Sequence, residues 1–255
     1  MCFIGHGAFG FITKAAWLPY FGVVGIPESL AWQLMPVVGA VDVLAGMAVL
    51  FAPRALPLAY MTVWAAWTAL LRPLAGESVF ETLERAGNYG VPLAMLLLTG
   101  IPRSVRDLFR PITTMGADET MELQVHRVLK WSTFLLLAGH GMLGIAGKPL
   151  LVQHWAMLGL PADTAVAVGF FEIALAAAVL IRPAALLLAF IAVWKLATES
   201  LFIGAGAPLW ELVERSGSIA APLALAALTT ARMPSTRERK EKDEHGRLSP
   251  GMRHR

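Results

Sequence analysis

Six ionisable side chains stand inside otherwise apolar stretches of the chain: His6, Asp42, His140, Glu172, Lys195 and Glu199. An ionisable group near the centre of a bilayer costs at least ~2.5 kcal/mol on insertion scales, so each of them asks for a reason. A histidine, which titrates near neutrality, set beside a carboxylate is suited to exchanging protons. His140 follows Lys130 by ten residues and Glu172 precedes Arg182 by ten. At ~1.5 Å per helical residue both lie roughly 15 Å from the inner face. Lys195 and Glu199 lie further out, four residues apart on one helix face, the spacing of an ion pair. Trp194 and Thr198 flank them.

These spacings predict that His140, Glu172, Lys195 and Glu199 meet around one polar cavity and carry any catalysis, with His6, Asp42 and Trp194 as cofactor-binding residues. The competing reading is helix glue, in which each His–carboxylate pair, and Lys195 with Glu199, only satisfies itself in low dielectric. His6 and His140 could also ligate a haem iron, although CxxCH, the motif of covalent attachment, is absent. No metal site is expected. The sole cysteine, Cys2, lacks a partner for a disulfide, a CxxC motif or zinc.

The elements that must position these residues follow from composition. Of 255 residues, 56% are hydrophobic and 15% charged, whereas soluble domains have roughly 45–50% and 25%. Crossing a ~30 Å hydrocarbon core takes about 20 helical residues. Stretches of about that length are Leu34 to Ala52, Ala55 to Leu71, Leu129 to Ala146, Thr164 to Ile181 and Ala184 to Ile203. Gly90 to Leu98 and Ser218 to Thr230 are shorter, contain a proline, and read as the last helix of each half. The N-terminal apolar stretch lacks a basic segment before it and does not read as a cleavable signal peptide.

The chain repeats itself. Gly5-His6-Gly7, Gly10 and Lys14 match Gly139-His140-Gly141, Gly144 and Lys148 at one offset of 134. After a deletion the offset becomes 130: Gly39, Asp42, Pro53, Trp64, Thr68, Glu81, Glu84-Arg85 and Pro92 match Gly169, Glu172, Pro183, Trp194, Thr198, Glu211, Glu214-Arg215 and Pro222. The expected fold is therefore an all-α integral membrane protein of about eight transmembrane helices, arranged as two parallel four-helix-bundle repeats. The first repeat spans 1–100, a cytoplasmic linker 101–123, the second repeat 124–231, and a basic disordered tail 232–255. Ala65 and Ala69 stand where the second repeat has Lys195 and Glu199, so the second is the expected site.

Fifteen of the 21 Lys and Arg residues fall on one side if the N terminus is inside, which predicts a multi-pass protein with both termini cytoplasmic. The net charge of +3 sits in the tail, where alternating signs suit attraction to anionic lipid rather than nucleic acid. Between the third and fourth helices of each half lies an acidic amphipathic stretch, Glu77 to Arg85 and Leu209 to Arg215, expected to lie along the outer surface as a cap. His6 has only five residues before it, so the first span is expected to be short or frayed at its inner end, or to begin upstream.

Each half resembles the DoxX-like superfamily of four-helix membrane proteins. The resemblance rests on the Gly-His-Gly followed by Lys in the first span, and on the acidic residue in a Gly- and Leu-rich second span, Val38 to Pro53 and Val168 to Pro183. Lys14 and Lys148 depart from it, standing eight residues after the His instead of about four. The resemblance implies a bacterial inner-membrane protein, in some relatives tied to oxidoreductases such as the small subunit of thiosulfate:quinone oxidoreductase. It implies a bilayer-embedded subunit with an oxidoreductase partner and a quinone as cofactor, His140 and Glu172 handling protons. The alternatives are a scaffold or chaperone, a small-solute transporter and, third, a haem-binding protein.

The distribution of Lys and Arg predicts opposite signals from topology reporters fused at Gly76 and at Arg232. Equal signals at the two positions would overturn the arrangement.

Overall fold

A computed structural model of the protein describes residues 1–100, 102–111 and 119–231. The basic tail and linker residues 112–118 lie outside the described residues. The described secondary structure is helical save for one isolated bridge, Arg54 to Pro111. In chain order it comprises α1 (Cys2–Phe11), a 3-10 turn (Ala15–Trp17), α2 (Leu18–Val23), α3 (Glu28–Phe51), α4 (Ala55–Leu74), α5 (Phe80–Glu84), α6 (Ala86–Leu98) and α7 (Val105–Leu108). There follow α8 (Glu119–Ile145), α9 (Pro149–Met157), α10 (Thr164–Ile181), α11 (Ala185–Gly204), α12 (Leu209–Glu214) and α13 (Ser216–Ala231).

Four helices, α3, α8, α10 and α11, are long and apolar enough to cross a membrane, which marks a multi-pass membrane protein. Large apolar side chains such as Leu44, Val63, Ile181 and Leu186 point outward, as side chains bathed in lipid do. α1 and α6 are shorter apolar helices. α1 has 10 residues where α8, which carries the matching His, has 27. α8 begins at Glu119, inside the stretch expected to be linker. α4 and α11 both end in a glycine of positive φ, Gly76 (92°) and Gly206 (87°), a left-handed turn that other residues rarely adopt.

Lipid offers helices little hydrophobic drive to associate, so close packing of small residues must supply it. α1 packs on α3 and α8 on α10, in both cases glycine against glycine. A Cβ on Gly7 would stand 2.6 Å from the Gly39 carbonyl oxygen, and one on Gly141 2.7 Å from that of Gly169. α6 and α13 cross where Gly87 meets Gly217, a Cβ on Gly87 coming within 2.2 Å of the Gly217 oxygen.

The acidic stretches do not lie on the outer surface. α5 packs against α8, and α12 packs against α1, so each short helix is inserted beside the first helix of the other half of the chain. Glu81 and Glu84 are buried. Glycine makes the insertion possible: a Cβ on Gly139 would lie 2.3 Å from the Glu84 amide nitrogen, and one on Gly5 2.3 Å from that of Glu214. Cations draw the helices in. Lys148 pairs with Glu81 (2.6 Å) and Glu84 (3.8 Å), while Lys14 pairs with Glu211 (3.1 Å) and Glu214 (3.8 Å). A surface cap would have left those lysines without carboxylates.

Gly139→Leu is therefore expected to destabilise the fold by at least the roughly 1–3 kcal/mol of an overpacked core, since backbone must move. Gly22→Ala, with nothing within 4 Å of the added Cβ, is expected to be neutral. Thermal unfolding in detergent compares the two.

Candidate functional site

α8 and α10 carry His140 and Glu172 at one level, and the Gly141–Gly169 contact brings the helices close enough for His140 Nδ1 to hydrogen-bond Glu172 Oε2 directly. Trp194 Nε1 donates to the other oxygen, Oε1, at 3.0 Å. Lys195, 1% exposed, reaches the same oxygen at 3.6 Å and Glu199 at 3.0 Å. Glu199 continues to Arg215 (3.3 Å) and accepts from Ser218 Oγ (3.3 Å). Arg215 then bridges to Glu84 of the first half at 2.8 Å. The four residues expected to carry catalysis thus do come together, as links of an ion-pair chain of which only Glu199 borders a cavity, the small one between the halves.

The open space lies in the first half. A cavity of about 140 Å³ is lined by His6, Trp17, Tyr20, Trp64, Ala65 and Thr68, among other residues, with Arg72, Arg85, Asn88 and Glu214 on its polar side. Its rim includes Val24 and Trp67, both about two-fifths exposed on the outward face. The difference from the second half is steric: Ala65 borders the open space where the aligned residue is the larger Lys195. A cavity of ~150 Å³ in a protein core accepts benzene, so one ring fits here.

His6 Nδ1 pairs with Asp42 Oδ2 at 2.6 Å, and Tyr60 donates its hydroxyl to Asp42 Oδ1 at 2.7 Å. The imidazole stacks on Trp17, ring centroids 4.4 Å apart. With the carboxylate accepting at Nδ1, neutral His6 keeps a lone pair on Nε2. Trp64 aligns with Trp194 but its N–H has a different fate. Asp42 is one methylene shorter than Glu172 and takes the Tyr60 hydroxyl, and Trp64 Nε1 is buried with no hydrogen-bond partner. A buried donor left so costs about 1–3 kcal/mol. Trp64 lines the cavity with its ring while its N–H is covered, and His6 lines it beside Trp17.

Tyr60, Trp17 and Ala65 were not singled out as site residues by sequence reasoning. The signal for Tyr60 was the divergence at its position, where the second half has Phe190. The alanines read as a loss of polarity in the sequence, whereas Ala65 borders the cavity. A second, water-sized cavity of about 20 Å³ lies between the halves, lined by Glu84, Arg85, Asn88, Glu199, Glu214, Arg215 and Ser218. Among the described residues no cluster of three or more His, Cys, Asp or Glu could hold a metal ion.

Lys195→Met should destabilise the protein by roughly 3–5 kcal/mol, because it leaves buried carboxylates uncompensated. The double change Lys195→Ala, Glu199→Ala, which copies the first half, is expected to cost less than the sum of its single changes in a double-mutant cycle read by unfolding in detergent. Additive costs would show that the pair is not coupled. Comparison of the chain with protein-family models, with curated proteins and with solved structures finds no match.

Proposed function

We propose that the chain is the membrane subunit of a quinone-linked redox system, and that it binds the quinone ring in the cavity of the first half. The observation that carries this reading is an aromatic-walled cavity of ring size lined by His6, Trp17 and Trp64. A quinone ring packs among the aromatic walls, and a quinol hydroxyl donates to His6 Nε2. The quinone supplies two-electron chemistry when bound, with electrons exchanged through a partner oxidoreductase. His6 takes or returns a proton at Nε2 while Asp42, held by Tyr60, stabilises the charged imidazole and fixes the ring. Stacking on Trp17 holds its plane. The rim at Val24 and Trp67 opens toward lipid, where an isoprenoid tail belongs.

Within this reading the two halves are tandem DoxX-like copies forming eight spans in a bacterial cytoplasmic membrane, both termini inside. The matched contacts support it: His6–Asp42 with His140–Glu172, Lys14–Glu211 with Lys148–Glu81, and α1 on α3 with α8 on α10. The first copy is the site. In the second, His140, Glu172, Lys195 and Glu199 act as a buried fastener, which places the chemistry opposite to where polarity alone pointed. A haem does not fit, since its macrocycle is several times the size of a ring that fills the cavity.

Calorimetric titration of the protein in lipid nanodiscs with a short-chain benzoquinone should show saturable binding. Ala65→Phe, which fills the cavity, should weaken it at least tenfold. Glu172→Gln should leave it unchanged. Absence of saturable binding, or equal affinity in Ala65→Phe, would refute the reading in favour of a scaffold.

A further inference from the structure

The chain that joins the two halves carries a short helix whose surroundings neither the cavity nor the ion-pair chain uses. α7 is held by a capping box: Asp107 N–H donates to Ser104 Oγ, and the Asp107 carboxylate accepts the Ser104 amide at 3.1 Å. It is pinned to the start of α4. The Ala55 amide donates to the Arg110 carbonyl (3.3 Å), Arg54 Nη1 donates to the Phe109 carbonyl (2.6 Å), and Arg54 and Pro111 form the isolated bridge. This is a placed element, fixed at the end of α4 next to the end of α3, where Phe51 and Leu56 project outward.

The surface of this element has a definite composition. Arg54, Arg103, Arg106 and Arg110 surround it, all exposed, and Asp107 is the acidic residue among them. That carboxylate is already committed: it accepts the amides of Arg103 and Ser104 and pairs with Arg110. The backbone hydrogen bond from Arg103, first, and the Ser104 side chain hold its carboxyl below the usual carboxylate range. Its cap on α7 is therefore fully formed above that range and is lost only as pH falls through the lowered pKa. Among the described residues, Arg103 and Arg106 make no ion pair. Beside the arginines Val105 is 74% exposed and Phe109 55%. Arg106, Asp107, Phe109 and Arg110 line an open hollow.

We propose that Arg103, Arg106 and Arg110, with Val105 and Phe109, bind the headgroup and upper acyl chain of an anionic phospholipid at the membrane surface. Guanidinium groups bond phosphate oxygens in pairs, a geometry that ammonium groups lack. Exposed apolar side chains beside cationic ones at the end of a membrane-facing helix suit a site that is half headgroup and half hydrocarbon. A nucleic-acid partner would leave the exposed Val105 and Phe109 unexplained. Because α7 is tied to α4, whose other end forms the cavity wall, a bound lipid fixes the end of a helix that the cavity depends on.

The test compares the full chain with the variant Arg103→Gln, Arg106→Gln, which touches neither the capping carboxylate nor the pin to α4. Each is placed at pH 7 in nanodiscs of dioleoyl phosphatidylcholine alone and with one-third dioleoyl phosphatidylglycerol. Phosphatidylglycerol should raise the unfolding midpoint of the natural chain by about 2–4 °C, and the variant should lose at least half of that rise. The basic tail is present in both proteins, so its attraction to the surface cancels. An equal rise in both overturns the proposal. So does a rise of the same size from inorganic phosphate in neutral nanodiscs, which would assign the arginines to a soluble anion. Benzoquinone affinity, measured in neutral nanodiscs, reports on the cavity separately.

Discussion

Everything else in this molecule depends on how charge is neutralised where water is scarce. The Glu84-Arg85 and Glu214-Arg215 pairs sit at the breaks between short and long helices, α5 to α6 and α12 to α13. Neither pair is neutralised by its own half alone. Lys148 answers Glu81 and Glu84, Lys14 answers Glu211 and Glu214, and Arg215 reaches across to Glu84. Breaking a buried pair by removing one partner strands the other charge, at a cost of several kcal/mol. Each half is thus electrostatically incomplete without the other. The glycines follow from this: backbone must meet backbone at Gly5, Gly139 and Gly87–Gly217 for the side chains to reach one another.

One scaffold has been put to two uses. Where α11 carries Lys195 and Glu199, the space between helices is filled and the His140–Glu172 pair is locked into a continuous ionic chain that ends in the other half. Where α4 carries Ala65, the matching space is a cavity, lined by His6 with Asp42 behind it. The shorter carboxylate matters as much as the smaller side chains. Asp42 draws in Tyr60, Glu172 takes Trp194, and only in the first case is an indole N–H left without an acceptor.

Much of this was legible in the residues. The helix ends at Thr164 and Ile181 fall where the apolar run predicts them, and the i,i+4 spacing of Lys195 and Glu199 does give an ion pair. The pairing His140–Glu172 follows from equal depth, and His6–Asp42 from the offsets that align these residues with that pair. The illegible part concerned volume and partners across the chain. Sequence marks buried charge as conspicuous and alanine as featureless, yet a binding cavity is made by what is absent, and Ala65 carries no signal until its neighbours are placed. The acidic stretches were read as a surface cap because amphipathicity says only that a helix has two unlike faces. That the polar face meets Lys14 or Lys148 from the opposite half, and not water, is a tertiary fact.

The cavity itself inherits this dependence between halves. Arg85, Asn88 and Glu214 line both the ring-sized cavity and the small one between the halves, and Glu214 comes from the second half. Lys14, whose ammonium also lies 3.8 Å over the Phe9 ring, ties the end of α1 to α12 and so holds Glu214 at the cavity edge. The polar floor on which His6 works is therefore not a property of the first half, however completely that half supplies the aromatic walls. A locked second half is what such a site requires: Lys195 and Glu199 hold Arg215 and Ser218 from one side, Glu84 holds Arg215 from the other, and the floor stays rigid while the cavity opens toward lipid. On this argument the buried charges of the second half are retained because they fix the polar floor of the cavity in the first.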